Sequence, residues 1–254
     1  MQPLEITVQI AGDIEDILNA IRVNSARDLP TISPAPCRHD GTIVLAGSGP
    51  SLKHFLGELR EHKAKGRPIV AIKGTHDYLI EHGITPDLWV CLDPRDKRDG
   101  VQRKNKNTVY LLASRCHPVM FEHLADCKVM LWHSWSQEAE LPALDNKWCI
   151  GGGTTSGLRA VNIGYVLGFR KFVMYGYDSC VDGDTLRVDG SKGDRLLNVY
   201  VGNSGRKFVT TPEMAQQAKE FQRIYEIMPD VEIISRGDGL ITAILAEREM
   251  MKAA

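Results

Sequence analysis

The sequence predicts an α/β protein: a Rossmann-like, doubly wound and mostly parallel sheet with a β-hairpin excursion late in the chain. Three observations carry that prediction. Short apolar runs alternate with helix-patterned stretches, joined by a few residues each, as in a parallel sheet covered on both faces. Two glycine-rich segments, Gly47–Ser51 and Gly151–Gly157, lie where a strand runs into a helix. After Asp178 the alternation breaks into a stretch rich in Gly, Asp and Ser, residues 181–211.

Residues 1–40 read as an N-terminal helical extension. Between Asp13 and Asp28, Ile14, Ile17, Leu18, Ile21 and Val23 form a helical stripe. Pro30, Pro34 and Pro36 then require a loop. Residues 41–254 read as the Rossmann-like domain. Its strands are expected at Thr42–Ala46, Pro68–Ile72, Leu88–Leu92, Val109–Ala113, Lys128–Trp132 and Lys171–Tyr175, with helices over Leu52–His62, His76–His82 and Thr155–Leu167. Two β-like pieces, Asn198–Val201 and Lys207–Thr210, flank Gly202-Asn203-Ser204-Gly205 and predict a hairpin. Thr211-Pro212-Glu213 starts a helix reaching about Met228, with Thr at the cap and Pro at the first helical position. A strand at Val231–Ile234 and a helix near Ile241–Met251 close the pattern.

Composition bounds the function. The 254 residues carry 31 Lys+Arg against 32 Asp+Glu, a balance that argues against coating nucleic acid or an anionic membrane through bulk charge. With 43% apolar and 25% charged residues the chain is an ordinary soluble globular protein, long enough for a full core. No apolar run approaches the roughly 18 to 20 residues of a membrane span. Met1–Glu5 shows neither the basic start nor the apolar stretch of a signal peptide. The six cysteines (37, 91, 116, 127, 149, 180) form no CxxC pair, and Cys91 and Cys127 sit in or beside apolar runs. They read as reduced, buried thiols of a cytoplasmic protein.

The first motif is Gly47-Ser48-Gly49-Pro50-Ser51, which follows a strand and opens a helix. Glycines let a backbone approach a ligand, and a helix N-terminus offers unpaired N–H groups and a positive dipole end to a phosphate. The segment lacks the third glycine of the dinucleotide fingerprint and the Gly-Lys-Ser/Thr of a Walker A loop. Its plain alternative is a tight turn capped by Ser51. The second motif, with Gly152, Gly153, Thr154 and Thr155, feeds another helix at the same sheet edge, where ligands of this fold class bind. Capping threonines on a long turn explain its glycines less well.

Two carboxylates share that edge. Asp93 ends the strand within Gly83-Ile84-Thr85-Pro86-Asp87 to Asp93-Pro94, and Asp178 follows Tyr175-Gly176-Tyr177. Each can receive a proton or hold a metal ion, and each alone is more often a cap. Arg95 to Lys106 carries six basic residues against Asp96 and Asp99, which suits a phosphorylated or polyanionic acceptor or, more simply, a solvated face. Cys116, His117, His123, Cys127 and His133 match no structural zinc spacing.

Taken in order, GSGPSL, GITPDLWVCLDP, GGGTTSGLRAVNIGYVLGF and KFVMYGYDS resemble the family named for archaeal 6-hydroxymethylpterin diphosphokinase (MptE-like), across about residues 42 to 245. Relatives of that family include motility-associated glycosyltransferases acting on flagellin. The opening GSGPSLK also looks like the Gly-x-Gly-Pro-Ser-Leu loop of bacterial sialyltransferases. The resemblance implies a transferase using a nucleotide-activated donor: a nucleotide sugar, or ATP giving a pyrophosphoryl group. Two departures stand out. Lys73 occupies a position where family members often carry an Asn facing the nucleotide, exchanging an amide for a charge aimed at a phosphate. The sialyltransferase His base lies beyond the GYD-like motif, whereas the last histidine here is His133.

Three function classes follow. In the favoured one, a glycosyltransferase, the two glycine loops hold the donor phosphates and Asp93 or Asp178 takes the acceptor proton. In a diphosphokinase the same loops cradle ATP while Asp93 and Asp178 carry Mg²⁺. The third is a non-catalytic nucleotide-binding module, since fold does not establish chemistry.

Overall fold

The computed structural model describes residues 11–202 and 204–253. Residues 1–10, which include the Met1–Glu5 segment read above, and Asn203 of the expected hairpin turn lie outside the described residues. Helix α1 (Ile14–Ser25) is capped by Asp13, whose carboxylate accepts from Glu15 N. The chain then builds β1 (Arg38–Ala46), α2 (Leu56–Ala64), β2 (Ile69–Ile72), α3 (Thr75–Glu81), β3 (Leu88–Cys91), β4 (Val109–Ala113), α4 (Pro118–His123) and β5 (Lys128–Ser134). After the short α5 (Leu141–Leu144) and β6 (Cys149–Ile150), helix α6 (Ser156–Val166) leads back to β7 (Phe169–Tyr175). The excursion contains the hairpin β8 (Leu197–Val201) and β9 (Arg206–Thr210). Helix α7 (Pro212–Glu226), capped by Thr211 as expected, precedes β10 (Glu232–Ser235) and α8 (Leu240–Ala253).

Eight strands form one parallel sheet in the order β10-β7-β1-β2-β3-β4-β5-β6. The apolar runs of its central strands are buried, as in β2, where Ile69, Val70, Ala71 and Ile72 are all covered, while the edge strand β10 leaves Ile234 exposed. From β1 to β6 the chain moves steadily one way, then returns to lay β7 against the free side of β1. Strands β1 and β7 thus lie side by side at a reversal of strand order, and such a reversal is where open α/β sheets form ligand crevices. The return crossover α6 packs on β1, β2, β3 and β7, and residues 156–164 are buried without interruption. Gly164 is required there, because a Cβ would lie 2.6 Å from the Phe172 ring.

The structure departs from the expected elements in ways with simple causes. The helix expected over Leu52–His62 splits into a 3₁₀ turn at Pro50–His54 and α2, because Phe55 leaves helical geometry between them (φ −116°, ψ 12°). Elements α4, α5 and β6 are too short for a periodic signal, and β6 is only two residues long. Cys91 and Cys116 are buried, while Cys127 is only partly so. No described helix is long and apolar enough to cross a membrane.

The N-terminal segment is joined to the sheet. Ile32 N donates to Leu131 O (2.9 Å) and Leu131 N to Pro30 O (2.8 Å), so this segment pairs with β5. Ile17 and Ile21 of α1 pack on Leu144 of α5. The fully buried Asn24 uses its amide nitrogen on two carbonyls, Ser114 O (2.9 Å) and Cys116 O (2.8 Å).

Candidate functional site

A cavity of about 300 Å³ opens at the C-terminal edge of the strands, beside the β1–β7 reversal. Its wall gathers successive strand ends: Gly47–Gly49 after β1, Lys73 after β2, Asp93 and Arg95 after β3, Arg115 after β4 and Ser136 after β5. Thr154–Gly157 close it at the start of α6, with Tyr177 and Ser179 after β7, Arg187 from the excursion, and Glu213 and Gln217 from α7.

The first glycine loop is packed against protein. Gly47 N donates to Tyr175 O and Gly49 N to Gly176 O, each at 2.8 Å. A Cβ on Gly47 would lie 2.5 Å from Gly176 O; on Gly49 it would lie 2.6 Å from the same oxygen and closer still to Asp178 Oδ2. These glycines thus let the β1 and β7 loops touch, and their amides already have acceptors. Ser51 donates twice to Asp178, from N to Oδ2 (2.9 Å) and from Oγ to Oδ1 (2.6 Å). Asp178 therefore occupies the place at the Pro50–His54 turn that the sequence offers to a phosphate. Its side chain is buried behind the loops, outside the cavity wall. Burial pushes its carboxyl above the ordinary aspartate range, against the pull of the Ser51 donors.

The second carboxylate has a different setting. Asp93 Oδ2 accepts from Lys73 Nζ (2.7 Å) and Arg95 Nη2 (2.8 Å), and Oδ1 from Arg95 Nε (2.9 Å). Lys73 holds a left-handed backbone (φ +50°), fastened by Trp89 Nε1 donating to its carbonyl (2.8 Å). A β-carbon there costs conformational energy, and such strain concentrates at working sites. Burial alone would raise the Asp93 carboxyl, but the Arg95 guanidinium and the Lys73 ammonium outweigh it and hold the group well below the usual carboxylate range. The cluster carries two cations on one anion, and the cations keep 34% and 58% of their side-chain surface exposed. A depressed native pKa stabilises the fold above the unfolded aspartate value of about 4, and that contribution drains away as the pH falls below it. Below about pH 4 the melting temperature of the wild type should fall more steeply than that of Asp93→Asn. Parallel acid limbs in a pH series of thermal melts would show that these ion pairs contribute nothing to stability.

The third wall is the start of α6. Gly152 (φ +88°) and Gly153 (φ +72°) are left-handed, and a Cβ would lie 2.6 Å from Asn162 Cγ at the first and 2.5 Å from Leu158 Cδ1 at the second. They shape the turn and do not reach the cavity wall. Thr154 N and Oγ1 both donate to Glu220 Oε2 at 2.9 Å. Thr155 caps the helix by accepting from Leu158 N (3.3 Å), and Ser156 Oγ accepts from Leu92 N (3.0 Å), which fastens the helix start beside Asp93. The Ser156 and Gly157 amides precede the first intrahelical bond, Arg159 N to Thr155 O. Both residues line the cavity at the positive end of an eleven-residue helix.

The basic stretch is mostly paired off. Arg98 binds Asp96 (2.7 Å), Arg103 binds Glu81 (2.9 Å) and Lys104 binds Asp126 (2.8 Å), and of the six basic residues Arg95 alone lines the cavity. Arg115, Arg187, Glu213 and Gln217 escaped the sequence reading. Arg115 follows β4 as Asp93 follows β3, so the strand-end rule that singled out the aspartate applied to it too. Arg187 and α7 reach the cavity through tertiary folding alone.

A model of the family described as 6-hydroxymethylpterin diphosphokinase MptE-like matches residues 15–184. The chain belongs to the MptE-like family. The MptE-like match runs from α1 into the excursion, so it takes in every strand-end loop from Gly47 to Asp178 and the N-terminal helix as well. Among solved structures, the Maf glycosyltransferase from Magnetospirillum magneticum AMB-1 superposes with a TM-score of 0.71 at 13% identity. The alignment covers 96% of this chain and 42% of that protein, so the MptE-like chain spans less than half the length of this neighbour. At that identity the likeness is one of fold. No curated protein matches the sequence.

Proposed function

We propose that this MptE-like protein is a transferase acting on a nucleotide-activated donor, and specifically a glycosyltransferase moving a sugar from a nucleotide sugar. The observation that carries this reading is the Lys73–Asp93–Arg95 cluster, a half-buried and an exposed cation on one buried carboxylate, set beside the open amides of α6. Preorganised N–H donors and fixed cations suit a phosphate that gains negative charge as the bond to the sugar breaks. Asp93 acts here through the cations it holds, because a carboxylate kept so far below neutrality is a weak base at pH 7. Asp178 acts by tying the β1 loop to the β7 loop. The fold shared with a Maf glycosyltransferase is consistent with sugar transfer.

The family description keeps pyrophosphoryl transfer from ATP as the second reading. That chemistry asks for carboxylate oxygens open to Mg²⁺. Asp93 lines the cavity with its oxygens on Lys73 and Arg95, whereas Asp178 is buried outside the cavity wall on Ser51, so the pair does not present a shared ion site.

A thermal-shift screen against ATP, CMP, UDP, GDP and their sugar conjugates, with and without Mg²⁺, separates the readings. A ligand at a hundredfold excess over its Kd adds about 2.7 kcal/mol, or roughly 5–10 °C for a chain of this size. The expected result is stabilisation by one nucleotide and its sugar conjugate without Mg²⁺, followed by turnover of that conjugate. Stabilisation by ATP alone, and only with Mg²⁺, would replace the glycosyltransferase with the diphosphokinase. No shift across the panel would remove the nucleotide donor from the reading.

A further inference from the structure

We infer that Arg115 is a second oxyanion-binding point in the cavity. Its partner is a group presenting two coplanar oxygens, phosphoryl or carboxylate, on the ligand whose phosphate meets Lys73 and Arg95. This rests on reading the cavity as a donor site.

Arg115 lines the cavity although only 2% of its surface is exposed. Its Nη1 lies 3.2 Å from Glu140 Oε1, while Nε and Nη2 have no partner among the described residues. Those two nitrogens share one edge of the guanidinium plane. Together they make the side-on fork that matches a carboxylate or phosphate with two parallel hydrogen bonds. The charge around the fork is unbalanced in the same direction. Arg115, Glu140 and Arg159 are all buried, which sets two guanidinium groups against one carboxylate. Arg159 places both terminal nitrogens on backbone, donating to Ile150 O and, at 2.8 Å, to Trp135 O, which leaves only its Nε without a partner among the described residues, whereas Arg115 leaves a whole edge. The Nε–Nη2 edge of Arg115 is thus a buried, unpartnered pair of charged donors, and a buried charge of this kind calls for a counter-ion.

The position also fits a second group of one ligand. Strands β2, β3 and β4 are neighbours, so Lys73 and Arg115 are rooted two strand spacings apart, on the order of 10 Å. One anionic group meets the cations on Asp93, and another meets the fork. The loop is held for the purpose: Asn24 of α1 binds the carbonyls on either side, Ser114 O and Cys116 O, which fixes the direction in which Arg115 leaves the strand.

The test is calorimetry on the full chain, with inorganic pyrophosphate as the probe of the Lys73–Arg95 cluster. Inorganic phosphate and malonate, titrated into protein saturated with pyrophosphate, probe the fork. The wild type should bind at least one of these two probes, and which one it prefers separates a phosphoryl from a carboxylate partner. Arg115→Lys keeps the charge and loses the fork, so it should weaken this second binding at least about tenfold while moving the pyrophosphate Kd by less than about threefold. Second binding of wild-type strength in Arg115→Lys, or none in the wild type, overturns the proposal. If pyrophosphate fails to bind the wild type while a second probe still binds through Arg115, the donor-site reading falls and the oxyanion point stands. Should Arg115→Lys not fold, wild-type crystals soaked in phosphate or malonate decide instead. An anion on the Nε–Nη2 edge supports the proposal, and a bare edge overturns it.

Discussion

Gly49→Ala should lose about 3 kcal/mol or more of folding stability, a fall of at least roughly 6 °C in melting temperature. The new Cβ would lie 2.6 Å from Gly176 O and closer still to Asp178 Oδ2. Neither neighbour can yield. Gly176 is backbone at φ +65°, already receiving the Gly49 N–H, and Asp178 is pinned by both Ser51 donors and buried beneath the loops. Gly57→Ala serves as the control, since a Cβ there meets nothing within 4 Å in helix α2. That variant should melt at or slightly above the wild type, helped by alanine's helix propensity of up to about 1 kcal/mol over glycine. If thermal melts show Gly49→Ala as stable as Gly57→Ala, the β1 and β7 loops do not pack as described.

Lys73→Asn should do the opposite: leave stability within about 1 kcal/mol of the wild type and weaken binding of pyrophosphate or the donor nucleotide roughly ten- to a hundredfold. Asparagine tolerates the left-handed backbone better than lysine, so relief at φ +50° offsets the lost ion pair to Asp93. What disappears is a cation that leans from a buried carboxylate into the cavity. Calorimetry beside thermal melts reads both quantities on one preparation. Unchanged affinity would reduce Lys73 to neutralising Asp93, and a large loss of stability would mean that the ion pair is structural first.

The two substitutions show where sequence and structure part. The strands from Thr42–Ala46 to Lys171–Tyr175 were legible because a parallel strand buried on both faces writes itself as an unbroken apolar run. The α6 and α7 starts were legible because capping threonines are local chemistry. Glycine positions were legible too, but their purpose was not. Gly49 is small because a carboxylate 129 positions along the chain, Asp178, lies against it, and no local pattern carries a partner that distant. Lys73 and Asp93 read as separate features until β2 and β3 came to lie side by side. Arg115 looked like any arginine until burial left its fork without acceptors.

The grip of Asn24 on the Ser114 and Cys116 carbonyls has a thermodynamic consequence. Linkage is reciprocal: whatever free energy a bound anion draws from the fixed direction of Arg115 must return as resistance of α1 to local opening. The first helix and the ligand site are thus two ends of one equilibrium. A change on the outer face of α1, far from any substrate atom, would be felt in the cavity as a change in affinity.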